Sequence, residues 1–70
     1  LEYERDVKTP LYARAGIPEV WLADLTNEAL LVYRQPAPDG YADVRTAQRG
    51  ETVTPLALPD LTLRVDDILG

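Results

Sequence analysis

The chain has no cysteine and no histidine. The first absence excludes disulfide cross-links and a thiol nucleophile. The two together exclude the common zinc ligand sets and the histidine of hydrolytic triads. No apolar run approaches the ~20 residues of a membrane-spanning helix. The opening Leu1-Glu2-Tyr3-Glu4-Arg5 is charged and has no signal-peptide core. Positive charge is scarce: 7 Lys and Arg against 12 Asp and Glu give a net charge of -5. That balance lowers the expectation of simple nucleic-acid binding, which needs a basic face to displace counterions from phosphate. It does not exclude a metal-dependent nuclease, because bound cations can bridge acidic residues to phosphate. A glycine-rich phosphate loop and EF-hand spacing are also missing. A cytoplasmic location with no membrane association is the expectation that fits these absences.

What is present is the composition of a soluble globular domain, 46% hydrophobic and 27% charged. A chain of 70 residues is one small domain at most. Such chains bury only about 60% of their unfolded surface, and small scaffolds usually add disulfides, a metal or a partner. Without the first, the expected support is oligomerisation or a missing piece of protein.

The segment 2–15 has helical periodicity. Tyr3, Val7, Leu11 and Ala15 recur every four residues, with Lys8 and Tyr12 on the neighbouring stripe. Pro10 is tolerated only in a first turn, so the firm helix is expected to begin near Asp6 as N-cap and to end at Gly16 as C′ residue. Glu19–Asp24 is apolar on both faces, which predicts a central strand covered on both sides, with Trp21 and Leu22 in the core. Thr26-Asn27-Glu28 is a turn into a second strand, Ala29–Arg34, and Pro36-Ala37-Pro38-Asp39-Gly40 is an exposed loop. A third strand is expected over Tyr41–Gln48 and a short fourth over Thr52–Thr54. Leu56–Asp60 is expected to be irregular and partly buried. Leu61–Val65 alternates as a strand, with Asp66 capping a last helical turn. The fold class is α+β: one N-terminal helix, then four to five short, mainly antiparallel strands.

The run Tyr3-Glu4-Arg5-Asp6-Val7-Lys8-Thr9-Pro10-Leu11-Tyr12-Ala13-Arg14-Ala15-Gly16-Ile17-Pro18-Glu19-Val20-Trp21-Leu22-Ala23-Asp24 resembles the signature of the Uma-two family of restriction-endonuclease-like proteins. That signature runs Y-D-R-x-x-K-x-x-x-Y-A-x-A-G-I-P-E-Y-W-x-V-D. Glu4 stands where the family usually has Asp, and Val20 where it often has Tyr. Arg49-Gly50-Glu51 and Pro55–Leu61 also resemble family members. The resemblance implies the PD-(D/E)XK nuclease superfamily, phosphodiester hydrolysis, Mg²⁺ as cofactor and nucleic acid as partner. It also implies that the acidic metal ligands lie on a β-hairpin before the helix, in a P-D-x-x-x-E-V type segment. No such segment occurs here. Pro59-Asp60-Leu61 lies at the wrong end and is followed by no Glu-x-Lys. Residues 1–70 are therefore expected to form a single partial domain. It would be the C-terminal part of a restriction-endonuclease-like fold, holding no metal ligands and inactive alone.

On the same resemblance Lys8 is the basic member of the parent protein's site, orienting water or stabilising phosphate charge. Read from the residues alone, Lys8 is a surface lysine paired with Glu4 one turn away. Tyr12 either contacts phosphate or steadies Lys8, or it is a core tyrosine with a satisfied hydroxyl. Glu19 either adds a carboxylate at a cleft rim or ends a strand, paired with Arg14. Trp21, Tyr33 and Tyr41 are expected in the core, and Asp66-Asp67 in an acidic first turn rather than a metal pair. Two functions of different class remain: a fragment of a metal-dependent nuclease-like protein, or a non-catalytic structural or self-associating β module.

Overall fold

The computed structural model describes residues 2–70. Their order is a helix, three strands, a short two-stranded ribbon and a closing helical turn. The helix starts before Asp6, which is not its cap. Residues 2–3 are already helical, Glu4–Lys8 form a π-helical turn, and α1 (Thr9–Arg14) follows with Pro10 in its first turn. Proline explains the wide turn. Pro10 has no N–H for the carbonyl four residues back, and its ring would clash there. The backbone widens instead, and the Thr9 N–H bonds to the Glu4 carbonyl five residues back. The Thr9 hydroxyl donates to that same oxygen at 2.8 Å. Gly16 ends the helix as expected, with φ 77°. Gly16 N–H donates to Ala13 O at 2.9 Å and Ile17 N–H to Tyr12 O at 3.1 Å, the paired bonds of a Schellman cap.

Strands β1 (Glu19–Asp24), β2 (Ala29–Ala37) and β3 (Gly40–Gln48) form an antiparallel sheet in that order. The expected central strand is an edge among the described residues: there β1 pairs only with β2, Glu19 opposite Arg34 and Asp24 opposite Ala29. Its two apolar faces reflect cover on both sides of the sheet, not a central place within it. The second hairpin is longer than its prolines suggest. Its ladder runs to Ala37 opposite Gly40, leaving Pro38-Asp39 as the turn. Pro36 fits because β1 reaches only as far as Arg34, so β2 has one neighbour there, and the β2–β3 ladder skips the preceding Gln35, whose backbone is left-handed at φ 60°.

The other two strands form a separate ribbon rather than extending the sheet. In it β4 (Thr52–Val53) pairs with β5 (Leu63–Arg64). The expected strand over 61–65 stops early. Val65 opens α2 (Val65–Leu69) with Arg64 as its N-cap, so Asp66 lies inside the turn. Leu56 and Leu58 are exposed instead of partly buried, and Leu61, expected on the inner face of the last strand, is exposed as well.

The core lies between the sheet and this closing layer. Leu30, Val32, Ala47 and Val65 are buried together, with Trp21, Val53, Ile68 and Leu69 packed around them. Alternation puts Tyr33 on the opposite face, and α1 packs across β2 and β3. Trp21 and Leu22 are half-buried, as an edge strand allows. Tyr33 and Tyr41 meet edge to face at 5.9 Å. The Tyr41 hydroxyl donates to Ile17 O at 2.6 Å and ties the helix exit to β3.

Candidate functional site

Lys8 is the last residue of the π-helical turn, and that geometry decides where its charge lies. The wide turn brings residues five apart into register, and the Lys8 ammonium sits 5.8 Å from the centre of the Tyr3 ring. This is cation–π distance. Among the described residues Lys8 makes no ion pair with Glu4. Tyr3 is also one wall of an open cleft of about 530 Å³, completed by Glu2, Arg5, Asp24, Thr26 and Asn27. The helix start and the β1–β2 turn thus face each other across this cleft, with Lys8 beyond the Tyr3 ring. Tyr12, one turn after Lys8, is half-buried on the same stripe. The structure brings Lys8 and Tyr12 to one side of the helix.

Glu19 is not near them. It faces Arg34 across the strands, and Arg34 Nε donates to Glu19 Oε2 at 2.6 Å. Arg34 Nη2 also donates to Thr54 O at 2.7 Å, and the Leu56 N–H donates to Glu19 Oε1 at 3.0 Å. Glu19 therefore pairs with Arg34 rather than Arg14, and the pair clamps the 54–56 segment to the sheet. Burial, the largest single influence on the Glu19 carboxyl, pushes its pKa up. The Leu56, Trp21 and Arg34 donors together outweigh it and hold the pKa below the usual carboxylate value. The Trp21 Nε1–H adds to that field although it forms no hydrogen bond of regular geometry.

Asp24 ends β1 nearly buried and caps the following turn. It accepts from the Asn27 N–H at 3.3 Å and from Asn27 Nδ2 at 2.8 Å. The Asn27 side chain is the main cause of its lowered pKa. Glu28 holds a left-handed backbone in that turn, φ 51°. It pairs with Arg49 at 2.9 Å, and Arg49 also donates to Gly70 O at 2.9 Å. Arg34 and Arg49, the two hubs of polar contacts, were not singled out from sequence. Arg34 was accessible to it: a hairpin that turns over Leu25–Glu28 sets residue 34 opposite 19. Arg49 was not, because its partners, Glu28 and the closing turn with Asp66 and Gly70, lie in two segments far from it in the chain.

Chemically, the cleft offers a guanidinium, an amide and the Tyr3 and Thr26 hydroxyls beside two carboxylates, Glu2 and Asp24, of which Asp24 already accepts from Asn27. No group of three Asp or Glu side chains that could hold a metal ion occurs among the described residues. No helix among them is long and apolar enough to cross a membrane.

A family model, Uma2, described as putative restriction endonuclease, matches residues 1–66. The chain belongs to the Uma2 family. A comparison with curated proteins and one with solved structures each returned no match. The match begins at the helix and runs through β5 into α2, so the Uma2 assignment covers the helix, the sheet and the ribbon together. The α+β order, with its N-terminal helix against an antiparallel sheet, is consistent with a nuclease-like fold.

Proposed function

We propose that the chain is the C-terminal part of a metal-dependent, restriction-endonuclease-like protein that hydrolyses phosphodiesters in nucleic acid. In this reading residues 1–70 are a partial domain that does not cut by itself. The observation that carries it is the Uma2 match over residues 1–66. Lys8 is the basic member of the parent site. Its support is its place at the end of a π-helical turn, a distortion that recurs at functional positions. Tyr12, on the same side, steadies it or meets phosphate. The acidic ligands for Mg²⁺ would come from outside these residues, because Asp24 and Glu19 are committed to Asn27 and Arg34. The Glu19 clamp makes a rim-ligand role for that residue weaker than its role in holding β1.

The test uses two preparations, the chain itself and the full translation product of its reading frame, each incubated with supercoiled plasmid and Mg²⁺ or Mn²⁺. The expected result is no cleavage by the chain and Lys8-dependent cleavage by the full product. Cleavage by the chain alone, lost in Lys8→Ala, would overturn the reading. A full product that neither cuts nor binds nucleic acid would favour the second reading, a non-catalytic self-associating module. The observation behind that alternative is the apolar surface left open on the helix.

A further inference from the structure

Lys8 has two candidate neighbours in its own helix, and the shape of the turn chooses between them. Glu4 stands four residues before it and Tyr3 five. In a regular α-helix the four-residue spacing wins, and Glu before Lys is the better order for an ion pair. The π-helical turn over Glu4–Lys8 closes instead on a bond of five-residue span, from the Thr9 N–H to the Glu4 carbonyl. The Lys8 ammonium accordingly lies 5.8 Å from the centre of the Tyr3 ring. It makes no ion pair among the described residues.

Two adjacent residues make this turn. Pro10 offers no N–H to the Asp6 carbonyl, and its ring excludes the α-helical approach. Thr9 supplies a substitute. Its hydroxyl, on a residue only 3% exposed, donates to the Glu4 carbonyl at 2.8 Å, the oxygen that its own N–H also uses. A hydroxyl that bonds back to the preceding turn bends a helix, and here it pins the wide turn from the buried side. Both causes are internal to the helix.

The exchange of neighbours changes what Lys8 can do. A carboxylate beside the ammonium would occupy one of its three N–H donors and repel a phosphate oxygen. A ring face attracts the cation through its quadrupole and leaves the donors for another acceptor. We infer that Thr9 and Pro10 are positioning residues for Lys8. They hold the π-helical turn that seats the ammonium at Tyr3 and away from Glu4, with its donors open to an anionic oxygen of the substrate. This rests on the reading of Lys8 as the basic member of a phosphodiester site.

The test uses the full translation product of the reading frame. By nuclear magnetic resonance, the Lys8 ε-methylene signal, assigned by its loss in Lys8→Arg, should lie upfield under the Tyr3 ring current. It should return to the ordinary lysine position in Tyr3→Leu. Pro10→Ala restores an N–H and favours the helix, so that variant should fold, and it should abolish the upfield shift. Thr9→Val should shrink the shift, and Thr9→Ser, which keeps the hydroxyl, should retain it. In Pro10→Ala, kcat on supercoiled plasmid with Mg²⁺ should fall about 100-fold with KM little changed. An upfield shift that survives Pro10→Ala overturns the proposal, as does a shift lost with kcat unchanged. A wild-type product that cuts nothing overturns the nuclease reading and the role of Lys8 with it, while the Lys8 signal still shows whether Thr9 and Pro10 hold the turn.

Discussion

The Glu19–Arg34 clamp allows a sharp test of what holds this small sheet together. Both side chains are mostly out of water, 13% and 20% exposed, and each has a second partner on the 54–56 segment. Glu19→Gln keeps the shape and an acceptor for the Leu56 N–H but removes the charge opposite Arg34. Hydrogen bonds to charged groups contribute about 1.5–3 kcal/mol. Removing one member of a largely buried pair leaves the other uncompensated. The expected cost is about 2 kcal/mol at pH 7, a large share of the roughly 4–10 kcal/mol typical of a domain this size. Because the Glu19 pKa is lowered in the fold, its contribution is complete above the unfolded value of about 4.3 and disappears as pH falls through the folded value. The deficit of Glu19→Gln should therefore be present at pH 7 and fade towards pH 3. Urea melts of wild type, Glu19→Gln, Arg34→Met and the double variant at both pH values measure it, with an expected coupling above about 1 kcal/mol. A coupling below about 0.3 kcal/mol, or a deficit equal at pH 3 and pH 7, would refute the clamp.

Gly16→Ala forces a side chain into a left-handed backbone (φ 77°) with nothing in the way but its own strain. It should cost about 1–2 kcal/mol, visible as a lower urea midpoint with unchanged slope. Leu30→Ala, in the buried cluster, should cost about 3–5 kcal/mol and leave the chain largely unfolded. Leu11→Ala should change monomer stability by less than about 0.5 kcal/mol, because that side chain faces water. Equal losses for the two leucines would contradict the exposed placement of Leu11 against the buried one of Leu30. Trp21→Ala, at a half-buried edge position, should cost about 2 kcal/mol, less than for a central tryptophan. Near-ultraviolet circular dichroism follows its loss.

The strands were legible where the pattern is local. Glu19–Asp24 and the start of β2 at Ala29 follow from apolar runs broken by Thr26-Asn27-Glu28. Gly16 as helix terminator follows from needing no Cβ. Errors arose where a residue's meaning depended on what lies beside it in space. Two apolar faces on β1 looked central because sequence cannot distinguish a buried face from a central position. Here α1 covers one face of the sheet, and the ribbon with α2 covers the other. Pro10 looked like a late helix start, yet it coexists with an earlier turn because the backbone can widen to five-residue bonding. Asp66 looked like a cap, but Val65 had already entered the helix so that its side chain could close the core.

The candidate site was less legible than the fold, for a chemical reason. Lys8 and Tyr12 share a stripe by spacing, four residues apart on a helix that runs through both. Spacing does not say what the ammonium meets. It meets the Tyr3 ring, which polarises no water and carries no metal, and the nearest cleft mixes Arg5 with carboxylates. A phosphodiester site needs several charges converging on one point, because each is effective only over a few ångströms in a screened medium. Within residues 2–70 the carboxylates are spread among separate partners: Glu19 with Arg34, Glu28 with Arg49, Asp24 with Asn27, Asp43 with Arg45. Each pair holds a turn or a strand. Gathering them at Lys8 would mean giving those contacts up. Those four carboxylates are therefore structural in this fold, and the basic member of the proposed site stands ready for a partner that these pairs do not supply.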